Sequence, residues 1–370
     1  MASITKRPDG KWRARYRDPD GREHARHFAR KVDAERWLVD QQSKIARGEY
    51  VDPTAGRQTF GSYAGQWMAA QVHRPSTSAL VEVDLRRHIL PSFENRPLSH
   101  IRPTEIQAWV KGRSEVLAPA TVERTYRCLA SIMKSAVRDR LVSSSPCIDV
   151  RLPRKTCRQV VPLSKEQVFA LVEAVPDRYR ALVLLAAATG LRQGEAFGLT
   201  LDEINWLRRV VEVRHQMSQA GNSPPRLAPP KTSASHRTVP LPQIVLEALA
   251  EHIRKYPPAA DGLIFTTATG DPIRRTRFGE SVWRPARMKV GLPTTGFHDL
   301  RHTYASLLIQ HGESVKVVQA RLGHASASET LDTYAHLWPD SEDRTRAAVD
   351  AALGTSAEIS ADSVRTGNGG

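Results

Sequence analysis

The chain has 370 residues, 40% of them hydrophobic, which is enough for two or three cores rather than one. Its 54 Lys and Arg against 39 Asp and Glu leave a formal charge of +15, favouring a polyanion: nucleic acid before an acidic membrane surface. No apolar run reaches the length of a membrane span and the N-terminus lacks a signal peptide's apolar core; Cys128, Cys147 and Cys157 form no CxxC pair, so reduced thiols are expected rather than disulfides or zinc.

Residues 1–55 read as a small unit of their own. Ser3–Lys6, Lys11–Arg17 and Glu23–Phe28 have strand character and are separated by the turns Pro8-Asp9-Gly10 and Asp18-Pro19-Asp20-Gly21. Alternation in the middle strand sets Trp12, Ala14 and Tyr16 on one face and Lys11, Arg13, Arg15 and Arg17 on the other. Val32, Leu38 and Ile45, with Trp37, predict a helix over the apolar face. Arginines at alternate positions suit a phosphate or groove contact, although a solvated sheet face has the same composition.

A linker from Gly48 to Gly56 leads into residues 58–150, where the signals are helical: Phe60–Gln71, Ser76–Leu90, Pro103–Lys111 and Pro119–Arg140, with breaks at Pro91, Pro97 and Gly112. The last of these helices carries Arg124, Arg127, Lys134 and Arg138 around its polar side, and Leu129, Ile132, Met133 and Val137 on its buried side. Arg151–Arg158 is a basic connector interrupted by Pro153.

Residues 160–352 form the largest unit. Ser164 is placed to cap a helix beginning at Lys165, and an apolar helix runs from Arg178 to Thr189 and stops at Gly190. Arg192 then opens the next helix, where free amides and the helix dipole favour an anion, and Glu195 three residues on can brace its guanidinium. Val210–Arg214 and Arg237–Leu241 read as strands of a small sheet, with Lys231 near a turn between proline-rich breaks. Helices resume from Leu241, interrupted near Gly262. Apolar patterning then ceases, and residues 353–370 are expected to be disordered.

The stretch from His298 to Tyr334 holds the densest chemistry. Read as a helix, it sets His298, Arg301 and His302 on one face and Leu300, Tyr304, Leu307 and Leu308 on the other, predicting that His298 and Arg301 point outward together. Gly312 suits the end of that helix; Ser314 begins a second, which Gly323 ends. Ser326 with Glu329 has capping-box spacing for a third, which carries Tyr334. Two imidazoles (His298 and His324), a guanidinium and a phenol suit a phosphodiester. The four-residue spacing of His298 and His302 also occurs in zinc-protease helices, but Asp299 replaces the glutamate and Arg301 would set a cation beside the metal.

Taken together, His298-Asp-Leu-Arg301-His, Leu-Gly-His324 and Thr-Tyr334-Ala-His closely resemble the C-terminal motifs of the tyrosine recombinases, the phage integrase family. Thr-Gly-Leu-Arg192-Gln-Gly-Glu195 resembles that family's first arginine motif and Pro-Lys231-Thr-Ser its hairpin lysine. The resemblance implies a multidomain, mainly helical fold with small β elements. A three-stranded, arm-type DNA-binding unit would span 1–55, a helical core-binding unit 58–150 and an α+β catalytic unit 160–352. It implies a site-specific recombinase that integrates, and can excise, a phage genome or other mobile element. The implied partners are double-stranded DNA at core and arm attachment sites, three further copies of the chain in a homotetrameric synapse, a host bending protein and an excision factor. No membrane is involved, and the compartment is the bacterial cytoplasm.

The same resemblance implies the roles. Tyr334 would attack the scissile phosphate to give a 3′-phosphotyrosyl linkage, with Arg192 and Arg301 on the non-bridging oxygens. Lys231 would protonate the leaving 5′ oxygen, His298 would assist proton removal from Tyr334, and His324 would donate to a phosphoryl oxygen. Because the bond energy is stored in the phosphotyrosine, neither ATP, metal nor another cofactor is required. Three other readings share some of these features: a type IB topoisomerase-like enzyme, a chromosome-dimer resolvase, and a DNA-binding regulator without catalysis. The arm-type unit argues against the first two, and the complete residue set against the third.

Overall fold

The computed structural model describes residues 2–48, 50–52, 54–154, 159–221, 223–230, 233–338 and 342–353. Contacts divide the chain into two compact units, the division falling between residues 157 and 158. Lys231, Cys157 and all but the first residue of the 353–370 segment lie outside the described residues. No described helix is long and apolar enough to cross a membrane.

The first unit opens with an antiparallel sheet of β1 (Ser3–Lys6), β2 (Trp12–Arg17) and β3 (Glu23–Phe28), in the order β1-β2-β3. Ala14 sits opposite both Ile4 and Arg26. Gly10 and Gly21 close the two turns at φ of 80° and 82°, backbone that an L side chain rarely adopts. As the alternation requires, Ala14 and Tyr16 are buried, under Ala34 and Leu38 of α1 (Lys31–Ala46). Val32, expected on that face, is exposed instead, because the helix turns Ala34 and Leu38 inward. Tyr50 packs into the same cluster, and its hydroxyl accepts from that of Tyr16 at 3.1 Å, fastening the linker to the sheet.

The same unit contains a second apolar cluster of helices. These are α2 (Phe60–Ala70), α3 (Pro75–Asp84), α4 (Leu90–Phe93), α5 (Pro103–Ser114) and α6 (Pro119–Arg138). Two expected breaks are helical. A π turn (Leu85–Ile89) carries α3 directly into α4, so Pro91 is accommodated within continuous helix. Trp109 donates its indole N–H to the His88 carbonyl at 3.0 Å, giving that widened turn a partner. α5 likewise continues past Gly112 to Ser114. Cys128 and Cys147 are free thiols, and burial pushes them up to about 12 and about 11, so both stay protonated at neutral pH.

The second unit begins with α7 (Lys165–Ala174), α8 (Arg180–Thr189) and α9 (Gln193–Phe197). β4 (Ile204–Asn205), β5 (Val210–Val213) and β8 (Arg237–Pro240) form one antiparallel sheet. A hairpin of β6 (Gln216–Ser218) and β7 (Arg226–Ala228), which periodicity did not predict, stands beside it in sequence. α10 (Gln243–Lys255) follows, then α11 (Arg275–Phe278) and α12 (Arg284–Lys289), joined by a π turn (Gly279–Trp283). α13 (Asp299–Gln310), α14 (Val315–Leu322), α15 (Ala327–Tyr334) and α16 (Glu342–Leu353) complete the chain. α8 is almost wholly buried, with α7, α10 and α13 packed around it.

Candidate active site

The site is built where five helix ends converge. α8 stops at Gly190 (φ 63°) and α14 at Gly323 (φ 66°), both left-handed. Neither position has room for a side chain: an added Cβ would lie 2.3 Å from Tyr304 Cδ1 at Gly190, and 2.8 Å from the Ala234 carbonyl at Gly323. The carbonyls freed at these ends hold the guanidinium groups. Arg301 donates to the Gly190 carbonyl (2.8 Å) and the Leu322 carbonyl (2.7 Å), and Arg192 donates to the Gly323 carbonyl (2.8 Å). Cations at helix C-termini are placed where the dipole favours them.

Arg192 takes the N-cap position of α9, and Glu195 accepts from its backbone N–H (2.8 Å) and from its guanidinium (2.9 Å). A second cation shares that carboxylate. Arg237, on β8, is nearly buried and makes two bonds to Glu195, at 2.7 and 3.2 Å, while its Nε donates to the Arg321 carbonyl at 2.7 Å. Burial weighs against the ionised form of Glu195, but Arg237 and Arg192 outweigh it and hold the carboxyl below its usual range. Three guanidinium groups therefore face one buried carboxylate, an imbalance that suits an incoming anion.

One geometric expectation is corrected. Arg301 does not point outward with His298: it is 2% exposed, because the ends of α8 and α14 cover that side of α13. His298, at the N-cap of α13, keeps an exposed edge. Partial burial and the nearby His302, Arg301 and Arg192 push its pKa down to about 4.

Tyr334 ends α15, whose cap Ser326 accepts from Glu329 N at 3.3 Å; the reciprocal arm of the expected box reaches Ala325 N rather than Ser326. The phenol is 1% exposed, and burial pushes its pKa up to about 12 despite the opposing charge of Arg301. Its ring stacks on His324, centroids 6.4 Å apart and planes 11° from parallel. His324 is buried with Nδ1 2.9 Å from Thr330 Oγ1, and burial with Arg301 pushes its pKa down to about 4. The Tyr334 hydroxyl lies 2.7 Å from Nδ1 of His302, and among the described residues no hydrogen bond joins it to another imidazole.

The structure thus brings Arg192, Glu195, Arg301, His324 and Tyr334 together, with His298 at the edge, while Lys231 lies outside the described residues. Two residues at this centre escaped the sequence reading. Arg237 shares a strand face with the buried Val239, so an arginine in that register was the available signal. The sequence sets His302 on the His298 face but offers it a role only in the rejected metal pair, because its contact with Tyr334 is distant in sequence.

The candidate DNA-contacting cations are placed unevenly. Lys11 and Arg17 are exposed and Arg13 and Arg15 half-buried, away from the Ala14–Tyr16 face. Glu23 lies 3.5 Å from Arg13 and 3.9 Å from Arg15. On α6, Lys134 and Arg138 are exposed, and Arg127 pairs with Glu123 one turn away. Arg124 makes two 2.8 Å bonds to the buried Asp84, so much of its charge is committed to the fold.

Comparison with known proteins extends this picture. Residues 162–340 match the model described as "Phage integrase family", residues 2–47 "Phage integrase, N-terminal domain" and residues 59–113 "Phage integrase, N-terminal SAM-like domain". The chain is 30% identical over 334 residues to the putative prophage phiRv2 integrase of Mycobacterium tuberculosis (strain CDC 1551 / Oshkosh), covering 87% of this chain and 88% of that one. It is 28% identical over 314 residues to the integrase of Mycobacterium phage FRAT1, covering 80% and 91%. Among solved structures, the Tn1549 transposon integrase bound to transposon right end DNA has a TM-score of 0.69 at 21% identity, covering 80% of this chain and 99% of that one. A lambda integrase dimer bound to a core site has a TM-score of 0.60 at 19% identity, covering 91% and 96%. At those identities the likeness is one of fold.

Proposed function

The chain belongs to the phage integrase family, and from that premise we propose how its residues carry the reaction. It is a tyrosine-type site-specific recombinase that integrates DNA by cutting and rejoining strands. Tyr334 is the nucleophile and forms a 3′-phosphotyrosyl linkage, releasing a 5′-hydroxyl. Arg192 and Arg301 hold the non-bridging oxygens, pre-aimed by the Gly323, Gly190 and Leu322 carbonyls; forks fixed in this way need no reorganisation when charge develops. Glu195 and Arg237 position Arg192, His324 donates to a phosphoryl oxygen, and Lys231 protonates the leaving oxygen. No step calls on a metal, because the guanidinium groups supply the charge.

The observation that carries this reading is a phenol stacked on one imidazole and bonded to another, within electrostatic reach of a docked arginine. The sheet of residues 3–28 acts as an arm-site reader and the helical cluster of residues 60–142 as one half of a clamp on core DNA. Tetramers assemble on paired sites, as in the lambda integrase tetramer bound to a Holliday junction. A host bending protein and an excision factor act with them in the bacterial cytoplasm. The test is a nicked duplex built from the junctions of the mobile element with its host chromosome, on which the released 5′ fragment cannot return. The wild-type chain should accumulate covalent adduct, whereas Tyr334→Phe should bind the duplex and accumulate none. Adduct from Tyr334→Phe would overturn the assignment.

A further inference from the structure

His302 is the imidazole in contact with the reacting oxygen, at 2.7 Å through Nδ1. We propose that His302, rather than His298, is the general base that receives the Tyr334 proton, an assignment that rests on Tyr334 being the nucleophile. The distance lies inside the range for direct proton transfer. His298 meets His302 edge-on, ring centroids 4.8 Å apart and planes at 88°, while the 2.7 Å contact between His302 and the phenol leaves no group between them.

The groups facing His302 keep its Nδ1 a bare acceptor. Burial and the Arg301 charge lower its pKa and outweigh the pull of Asp299, so the ring is neutral near pH 7. The phenol, pushed up to about 12, is the donor, which leaves the imidazole proton on Nε2. In this resting geometry the proton stays on Tyr334. It moves only as the Tyr334 oxygen bonds to phosphorus, because its O–H then becomes a stronger acid than the His302 imidazolium. Tyr334 feels the Arg301 charge where it stands, so nucleophile, base and phosphate clamp occupy one place before DNA arrives.

The step balances. The Tyr334 O–H bond breaks and its proton forms a bond to Nδ1 of His302. A Tyr334 O–P bond forms, the P–O5′ bond breaks, and the leaving oxygen takes a proton from the separate acid assigned to Lys231. In rejoining, a 5′-hydroxyl attacks phosphorus and gives its proton back to the group assigned to Lys231, the Tyr334 O–P bond breaks, and the His302 imidazolium returns its proton to the Tyr334 oxygen.

Two measurements test this. In the free full-length chain, nitrogen-15 spectra of the histidines should show His302 protonated at Nε2 and bare at Nδ1, with the Nδ1 signal shifting in Tyr334→Phe. The opposite tautomer would overturn the proposal without reference to DNA. The second uses the nicked junction duplex, on which wild-type adduct first establishes the Tyr334 reading by itself. His302→Leu should slow adduct formation about a hundredfold or more with duplex affinity retained. His302→Asn keeps an acceptor near Nδ1 but no usable base, and should remain nearly as slow. A fluorinated tyrosine at position 334, whose phenol is more acidic, should then speed His302→Leu at least tenfold more than it speeds the wild type. An equal effect in both backgrounds, full activity in His302→Asn, or rescue confined to His298→Asn would each refute the assignment.

Discussion

The arginines of the N-terminal sheet and those of the candidate active site place the same side chain in opposite surroundings. Arg301 and Arg237 are buried, and their nitrogens are committed to helix-end carbonyls or to Glu195. Arg13, Arg15 and Arg17 stand partly or wholly in solvent, with Glu23 3.5 and 3.9 Å from the first two. A buried, docked guanidinium gains position at the expense of desolvation, and only a folded network supports it. An exposed one costs the fold little and contributes through counterion release when it meets a polyanion. Position suits chemistry on a single phosphate, and exposure suits affinity for many.

The contrast is sharpest where removal should be most costly. Glu195→Ala strips the carboxylate from Arg237 and Arg192 and leaves a buried charge uncompensated, so urea unfolding should report a loss of about 3–5 kcal/mol. A loss below 1 kcal/mol would mean that the network is not the support described here. Arg301→Lys keeps the charge but cannot span the Gly190 and Leu322 carbonyls while presenting a fork to phosphate. Adduct formation on the nicked duplex should fall by about a hundredfold or more. Near-normal rates would show that charge alone suffices and would erase the distinction between the two regions.

Protonation offers a milder probe. The unfolded chain binds the His324 proton near pH 6.5, whereas the folded chain binds it only near pH 4. Stability therefore falls as pH drops from 6.5 to 4 and levels off below, by about 3 kcal/mol for this group. His324→Gln should remove that part of the slope in denaturant titrations across the window; an unchanged slope would place the acid sensitivity elsewhere. The smallest effect on the fold belongs to the arm arginines. Arg13→Ala with Arg15→Ala should move stability by less than about 0.5 kcal/mol. If the arm sheet reads its own site, the pair should also lower the salt dependence of arm-DNA binding by about 0.9 in log–log slope per lost phosphate contact. Core cleavage should be untouched, and parallel losses on arm and core DNA would give these arginines a generic role.

Local chemistry was legible in the sequence wherever it is self-contained. Ser164, Ser314 and Ser326 each accept a backbone N–H at the helix starts they were expected to cap, and Gly190, Gly312 and Gly323 adopt the positive φ of the helix ends they mark. Alternation in Trp12–Arg17 gave the buried Ala14 and Tyr16 directly. What escaped depends on partners distant in sequence. Periodicity put Arg301 and His298 on one side of α13 but carried no information that the ends of α8 and α14 cover it. Pro91 reads as a stop because the π turn before it leaves no mark in local composition. The bond from Tyr334 to His302 spans 32 residues, and no spacing rule distinguishes it from one to His298.

The hydroxyl oxygen of Tyr334, seated against His302 and His324, is the atom proposed to join protein to DNA. Incubating the full-length chain with the nicked junction duplex, digesting the product and locating the nucleotide-bearing peptide by mass spectrometry tests it most directly. The wild-type chain should show a single 3′-phosphodiester link, at Tyr334, and Tyr334→Phe should show none. A link mapped to Tyr304, or an adduct that persists in Tyr334→Phe, would contradict it.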